Sequence, residues 1–435
     1  MNRERDQGKS TLKHINKGRY IRDGIKVVFL TILLMIVGGV LLGYLGSRMF
    51  NIGNESVTAR NQDTVQIQND PYKYFFPVDD ITEPYLAEND ASPVLTGTNY
   101  IDQGGWFELP IYGATGWAAV RLPVRSEPHT NAIVLITLEP GYGFTILTVD
   151  GNWWYVKVNQ SLSGWLEHRG AFINLPDIIP SIVYMNTNAS ASVMRSRGFD
   201  IPDITGAQLY SAKTFNPRLG RDEYIMPAMY PLARSLFATQ QSALESGNTI
   251  VMYEAFRPAA TQRAIVQGMT ALIAQNSEVR EAITSPPWSL GWFISTGVSH
   301  HQRGAAIDIS LARVINYEYR QTGDFIYKHI LEYRLRIMPT HMHELSPWSA
   351  ILDSPRTITE TEFRAGNITM SEYVTVGVLE LHELLAPEGF TPLASEWWHF
   401  NHPASIAAAN TMGIRGDFFI DTVYSWSPAL PEDYE

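Results

Sequence analysis

The chain has 435 residues, 45% of them hydrophobic and 18% charged, which excludes a disordered polymer; at roughly 150 residues per domain, two or three domains are expected. It contains no cysteine, so disulfides, thiol nucleophiles and Cys-based zinc sites are excluded and any metal must be held by His, Asp and Glu. The net charge of −11 argues against nucleic acid as a partner.

Residues 1–26 form a basic arm, with eight Lys/Arg against three Asp/Glu. Residues 27–46 follow without a single charge. At about 1.5 Å per residue a helix of that length spans roughly 30 Å, the thickness of a bilayer core. Lys13, Lys17, Arg19, Arg22 and Lys26 crowd its N-terminal side, so the positive-inside rule places the N-terminus in the cytoplasm and the rest of the chain outside. A buried core helix would show a polar face, and this run has none. A cleaved signal peptide has a shorter apolar run, of about 7–15 residues, and a small-x-small exit. Leu45-Gly46-Ser47-Arg48 is a poor cleavage site. The expectation is a single-pass membrane anchor that is not removed.

Residues 47–115 read as an extracytoplasmic linker, rich in Asn, Asp, Gln, Thr and Pro with no sustained period. From 116 to 175 the pattern changes to short alternating apolar runs: Ala118–Leu122, Ala132–Leu138, Phe144–Val149, Trp153–Val158 and Gly164–Glu167. Pro140-Gly141 and Asp150-Gly151 are turn signals between them. That predicts a small all-β barrel. Pro123-Val124-Arg125-Ser126-Glu127-Pro128, Asp150-Gly151-Asn152-Trp153-Trp154-Tyr155-Val156-Lys157-Val158 and Ser163-Gly164-Trp165-Leu166 resemble a bacterial SH3 domain. Such domains often bind peptidoglycan; the plainer reading is a spacer barrel whose Trp residues are core.

Residues 178–435 predict an α+β domain. Met226–Ser246 has helical spacing and stops at Gly247; Thr249–Phe256 fits a buried strand. Pro258 opens a helix to about Gln275, at the position that tolerates proline. Ala305–Ser310 is strand-like, Ser371–Leu385 helical, and Trp397–Phe400 a short strand.

The densest chemical signal is Ser299-His300-His301-Gln302-Arg303-Gly304-Ala305-Ala306-Ile307-Asp308, followed downstream by Glu396-Trp397-Trp398-His399-Phe400. Together they offer two imidazoles and two carboxylates: three to hold a metal with one position open for water, and one carboxylate as general base. A lone His in an apolar stretch is usually a satisfied core residue. Here, however, Asp308 and Glu396 are flanked by apolar residues, and buried carboxylates need a partner such as a metal.

These two segments resemble the zinc D-alanyl-D-alanine peptidases, the family of the vancomycin-resistance dipeptidase and carboxypeptidase. The family pattern Ser-x-His-x-x-Gly-x-Ala-x-Asp is met from Ser299 to Asp308, and its Glu-x-x-His by Glu396 and His399. The resemblance covers roughly residues 180–425. It implies one zinc ion held by His301, Asp308 and His399, with Glu396 as catalytic base and Arg257, in Glu254-Ala255-Phe256-Arg257-Pro258, stabilising the developing oxyanion. Substrate contacts are implied for Ser299 and for the His343-Glu344 pair. Where the dipeptidases carry an Asp that holds the substrate's amine, this chain has His343, a poor partner for an ammonium group. With the anchor, this favours a D,D-carboxypeptidase acting on peptidoglycan stem peptides over a dipeptidase for free D-Ala-D-Ala. A wall endopeptidase and a non-catalytic wall-binding protein are the alternatives.

Overall fold

The computed structural model describes residues 95–428. The basic arm, the apolar run 27–46 and the linker up to residue 94 lie outside the described residues. Among the described residues no helix is long and apolar enough to cross a membrane.

Between Thr115 and Asn174 the alternating runs form seven strands: β1 (Thr115–Ala118), β2 (Leu122–Arg125), β3 (Val134–Leu138), β4 (Gly143–Asp150), β5 (Trp153–Lys157), β6 (Ser163–Glu167) and β7 (Ala171–Asn174). They pair antiparallel in the order β7-β1-β4-β5-β6-β2-β3. Gly151 turns the β4–β5 hairpin with φ +54°, a conformation that suits glycine. The expected strand over 118–122 straddles two strands instead, because residues 119–121 carry the chain from β1 to β2. Val124, Phe144, Trp154, Val156 and Leu166 fill the inner face, every second residue of its strand.

The chain then leaves this sheet. It makes β8 (Val183–Tyr184), a hairpin of β9 (Arg195–Ser196) and β10 (Phe199–Asp200), and a second of β11 (Lys213–Asn216) and β12 (Arg221–Tyr224). It returns as β13 (Pro227–Met229), which pairs with β7 through Pro227↔Asn174 and Met229↔Phe172. The first sheet therefore has eight strands and is not confined to residues 116–175. The C-terminal segment laces across it. Trp117 Nε1 donates to Thr422 O at 3.1 Å, Tyr424 N to Thr115 Oγ1 at 2.9 Å, and Trp426 N to Gly113 O at 3.0 Å. Gly143 makes room for this segment: a Cβ there would lie 1.9 Å from the Tyr424 ring.

The second sheet has the order β17-β18-β15-β14-β8, with β16 paired to β15. Its strands are β14 (Asn248–Glu254), β15 (Ala306–Thr322), β16 (Phe325–Leu335), β17 (Thr391–Leu393) and β18 (Glu396–Asn401). β14 is wholly buried, as its apolar run predicts. β15 runs far beyond the expected Ser310, because its outer half pairs with β16 as a long hairpin.

Helix α1 (Tyr230–Glu245) starts later than the expected Met226, since residues 227–229 are taken up by the pairing with β7. It packs on β14 as well as on β7 and β13, so one helix covers parts of both sheets, and the described residues belong to one compact unit. Then come α2 (Ala259–Gln275), α3 (Ser277–Thr284), α4 (Leu290–Phe293), α5 (Glu360–Arg364), α6 (Val376–Leu385) and α7 (Pro403–Met412). Asn276 caps α3, accepting from Glu278 N and Val279 N at 2.9 and 3.1 Å. α6 begins five residues after the expected Ser371, whose N–H instead donates to Ile351 O at 2.9 Å.

Candidate metal centre

Three neighbouring strands bring the chemistry into one row. Antiparallel register sets Glu254 of β14 opposite Asp308 of β15, and Asp308 opposite His399 of β18. Glu396 and His399 are three apart and would face opposite ways in a regular strand. Pairing with β17 jumps from Pro392↔Phe400 to Leu393↔Glu396, and this irregularity brings the two side chains to the same side: Glu396 Oε2 lies 3.7 Å from His399 Nδ1.

His301 reaches the row from a 3₁₀ turn, His301–Arg303, that precedes β15. Ser299 Oγ accepts from His301 N at 3.3 Å, and Gln302 ties the turn down by accepting from Ser299 N and donating to Arg415 O, both at 2.9 Å. Gly304 ends the turn at φ +60°, and a Cβ there would meet the Phe172 ring at 2.7 Å.

The imidazoles are fixed in the tautomers a metal requires. His301 Nδ1–H donates to Ala255 O at 2.8 Å, and His399 Nε2–H donates to Asn401 Oδ1 at 3.1 Å. Each ring therefore turns a lone pair inward, His301 Nε2 and His399 Nδ1 being 3.0 Å apart. Asp308 Oδ1 lies 3.2 and 3.1 Å from these nitrogens. Two facing lone pairs and a carboxylate oxygen repel one another unless a cation or proton lies between them. Zinc bonds of about 2.0–2.1 Å give a tetrahedron with edges near 3.3 Å, close to the observed separations. The donor set fits a zinc ion.

The second oxygen of Asp308 is held from behind. His343 Nε2–H donates to Oδ2 at 3.1 Å and Arg257 Nη2 approaches it at 3.4 Å. Such contacts would orient the carboxylate if it held a metal. Burial opposes the charge of Asp308, but the neighbouring His301, with His343 and His399 beside it, outweighs burial and holds its carboxyl well below the usual range. Glu254, Asp308 and His343 form a second cluster of metal-binding side chains, yet the Arg257 guanidinium already occupies it. Arg257 Nε donates to Glu254 Oε2 at 2.7 Å, Nη2 pairs with the same oxygen, and Nη1 donates to Gln262 Oε1 at 2.9 Å. Tyr210 OH donates to the other Glu254 oxygen at 2.9 Å.

Glu396 is buried beside this group, and burial, its largest influence, pushes its carboxyl up to about 8. A carboxylate that gains and loses a proton near neutrality is suited to general base work. The row opens on a cleft of about 300 Å³ whose walls include Trp292, Phe293, Val298, Leu345 and Trp398.

The structure thus gathers His301, Asp308, His399, Glu396, Arg257, Ser299 and His343 around one cleft. Two of the expected substrate contacts are placed otherwise. His343, in a left-handed backbone conformation at φ +60°, lines the cleft but directs its Nε2–H to Asp308. Glu344 turns away from the cleft and accepts from Arg197 N and Gly198 N at 2.5 and 3.2 Å, closing the β9–β10 hairpin. Glu254, Asn401 and Gln262 escaped the sequence reading. Glu254 carried a signal, being the one charge in the apolar run 249–256. The scan against protein-family models returned no match, and neither did the search of characterised proteins.

Proposed function

We propose that this chain is a zinc peptidase that hydrolyses the D-alanyl-D-alanine bond ending peptidoglycan stem peptides, anchored to the membrane by residues 27–46 and carrying an SH3-like barrel ahead of its α+β catalytic domain. The observation that carries the reading is the convergence of His301 Nε2, His399 Nδ1 and Asp308 Oδ1 within 3.0–3.2 Å, with Glu396 alongside. The D-Ala-D-Ala specificity rests on the resemblance of the two motifs, and the preference for stem peptides over free dipeptide on the anchor.

Zinc held by His301, Asp308 and His399 would polarise the scissile carbonyl and acidify a water molecule. Glu396 takes the proton from that attacking water and hands it to the departing amine, so no covalent intermediate is required. Ala255 O and Asn401 hold the two imidazoles in register through these steps, and His343 and Arg257 hold Asp308. Arg257 is nearly saturated by Glu254, Asp308 and Gln262, so it acts mainly by fixing the ligand carboxylate and by its positive charge near the reacting carbonyl.

The test is release of D-alanine from a stem pentapeptide and, separately, from free D-Ala-D-Ala by the zinc-supplemented protein. Turnover of the pentapeptide that falls about 10²–10⁴-fold in Glu396→Ala is the expected result. Turnover of the dipeptide alone reassigns the chain as a dipeptidase. Turnover of neither by a zinc-binding protein removes the exopeptidase reading.

A further inference from the structure

The cleft beside the metal centre is lined by two guanidinium groups, and they are not equivalent. Arg257 is buried and its donors are committed to Glu254, Asp308 and Gln262. Arg356, on the loop before α5, is half-exposed at the cleft wall. Its end-on edge is engaged: Nη1 donates to Glu362 Oε2 at 3.0 Å and Nη2 pairs with Glu362 Oε1 at 2.6 Å. Its other contact is a long one, from Nη1 to Thr357 O at 3.5 Å. The side-on edge, made by Nε–H and the second hydrogen of Nη2, has no partner among the described residues.

A guanidinium can receive two carboxylates at once, one on each edge, each through two parallel N–H···O bonds. Glu362 is well placed to be the permanent one. It lies in the first turn of α5, and its backbone N–H donates to the capping Thr359 Oγ1 at 3.2 Å, so the backbone that carries the carboxylate is fixed. Around the metal centre the charged groups of the lining are Asp308 and Glu396, which repel an anion, and the committed Arg257. A ligand carboxylate entering the cleft finds its uncommitted fork at Arg356.

We propose that Arg356 is the specificity-determining residue that receives the free C-terminal carboxylate of the peptide, with Glu362 as its positioning residue. This rests on the peptidase reading of the same cleft. It makes the enzyme an exopeptidase by recognition: a chain that continues past the scissile residue, or ends in an amide, offers the fork no anion. Lysine would supply charge without the paired donors, so Arg356→Lys is not an equivalent residue here.

The experiment measures binding, so that it does not depend on turnover. Acetyl-L-Lys-D-Ala-D-Ala, as free acid and as C-terminal amide, is titrated into the zinc-supplemented full-length Glu396→Ala protein and into the same protein carrying Arg356→Gln or Arg356→Lys. The expected result is a free acid bound about 10- to 100-fold more tightly than the amide, a range set by hydrogen bonds to a charged group. Arg356→Gln abolishes that preference by weakening the acid alone, and Arg356→Lys restores only part of it. Unchanged binding of the amide shows that the cleft remains folded. Equal binding of acid and amide before Arg356 is changed, or a preference that survives Arg356→Gln, overturns the proposal. If the acid binds through Arg356 but the parent protein releases no D-alanine, the carboxylate site stands and the proposed reaction falls.

Discussion

The two sheets of this molecule handle burial in opposite ways. The first hides Val124, Phe144, Trp154, Val156 and Leu166, and its inner face holds no charged side chain among these. The second hides Glu254, Asp308, Glu396 and His399 on adjacent strands, with His301 and His343 reaching in from turns and Arg257 at the end of the row. Isolated buried charges cost several kcal/mol each, so such a row persists only where each member has a partner. The pairing of Glu254 and Asp308 with Arg257, and of Asp308 with His343, supplies this on one side. On the other side the lone pairs of His301 and His399 and one oxygen of Asp308 face each other, an arrangement that a cation would complete. The first sheet is built for packing and the second around charges that need one another. Stability and activity should therefore separate along this line.

The largest break is expected at Glu254. Glu254→Ala leaves Arg257 buried without its main partner and frees Tyr210 OH, and removing one member of such a pair costs about 3–5 kcal/mol. Denaturant unfolding should show that loss, and zinc affinity measured by competition with a chelating dye should fall with it, since Arg257 also steadies Asp308. Unaltered zinc affinity would separate Glu254 from the metal centre.

Trp154→Ala should destabilise nearly as much, because it opens a cavity between Phe144, His168 and Tyr230, and truncating a buried aromatic typically costs about 3–5 kcal/mol. Here zinc affinity should be retained in whatever fraction stays folded. A parallel loss of zinc would mean that the two sheets are less independent than their contents imply.

The smallest effect is expected at Glu108, a buried carboxyl that accepts from Ser181 N at 2.9 Å and Gln241 Nε2 at 2.9 Å. Burial pushes it up to about 7 despite these hydrogen bonds. A carboxyl raised on folding stabilises the protein fully below about pH 4.5, where both states are protonated. That contribution is lost as pH rises to about 7, because the unfolded chain gives up its proton first. Glu108→Gln should remove this slope and gain on the order of 2 kcal/mol at pH 8 relative to the parent, with little gain at pH 5. Melting curves across pH 5–8 check it; parallel curves would show that Glu108 is ionised throughout.

The centre was legible in the sequence because its donors sit in two short segments, and a strand supplies the geometry: Asp308 and His399 meet as register partners. The supports were less legible. Nothing local to His343 says that its ring reaches Asp308, since the left-handed turn that aims it depends on the Arg195 N to His343 O bond across the fold. Glu344 misled for the same reason, its partners being the distant Arg197 and Gly198. The return of residues 227–229 to β7 was hidden by a strong helical signal that begins at the same place; strand pairing is non-local and leaves only a weak trace in sequence.

That returning strand has a consequence for biosynthesis. A nascent chain that has delivered β1 through β7 still lacks β13, so the β7 edge stays bare while the two hairpins of residues 195–224 are made. Trp117 and Thr115 wait longer still, until residues 422–424 have been made. Most of the first sheet is synthesised before the second and sealed after it, so a truncation that spares every residue of the candidate centre but removes the lacing of residues 422–426 would expose a seam in a part of the molecule made long before.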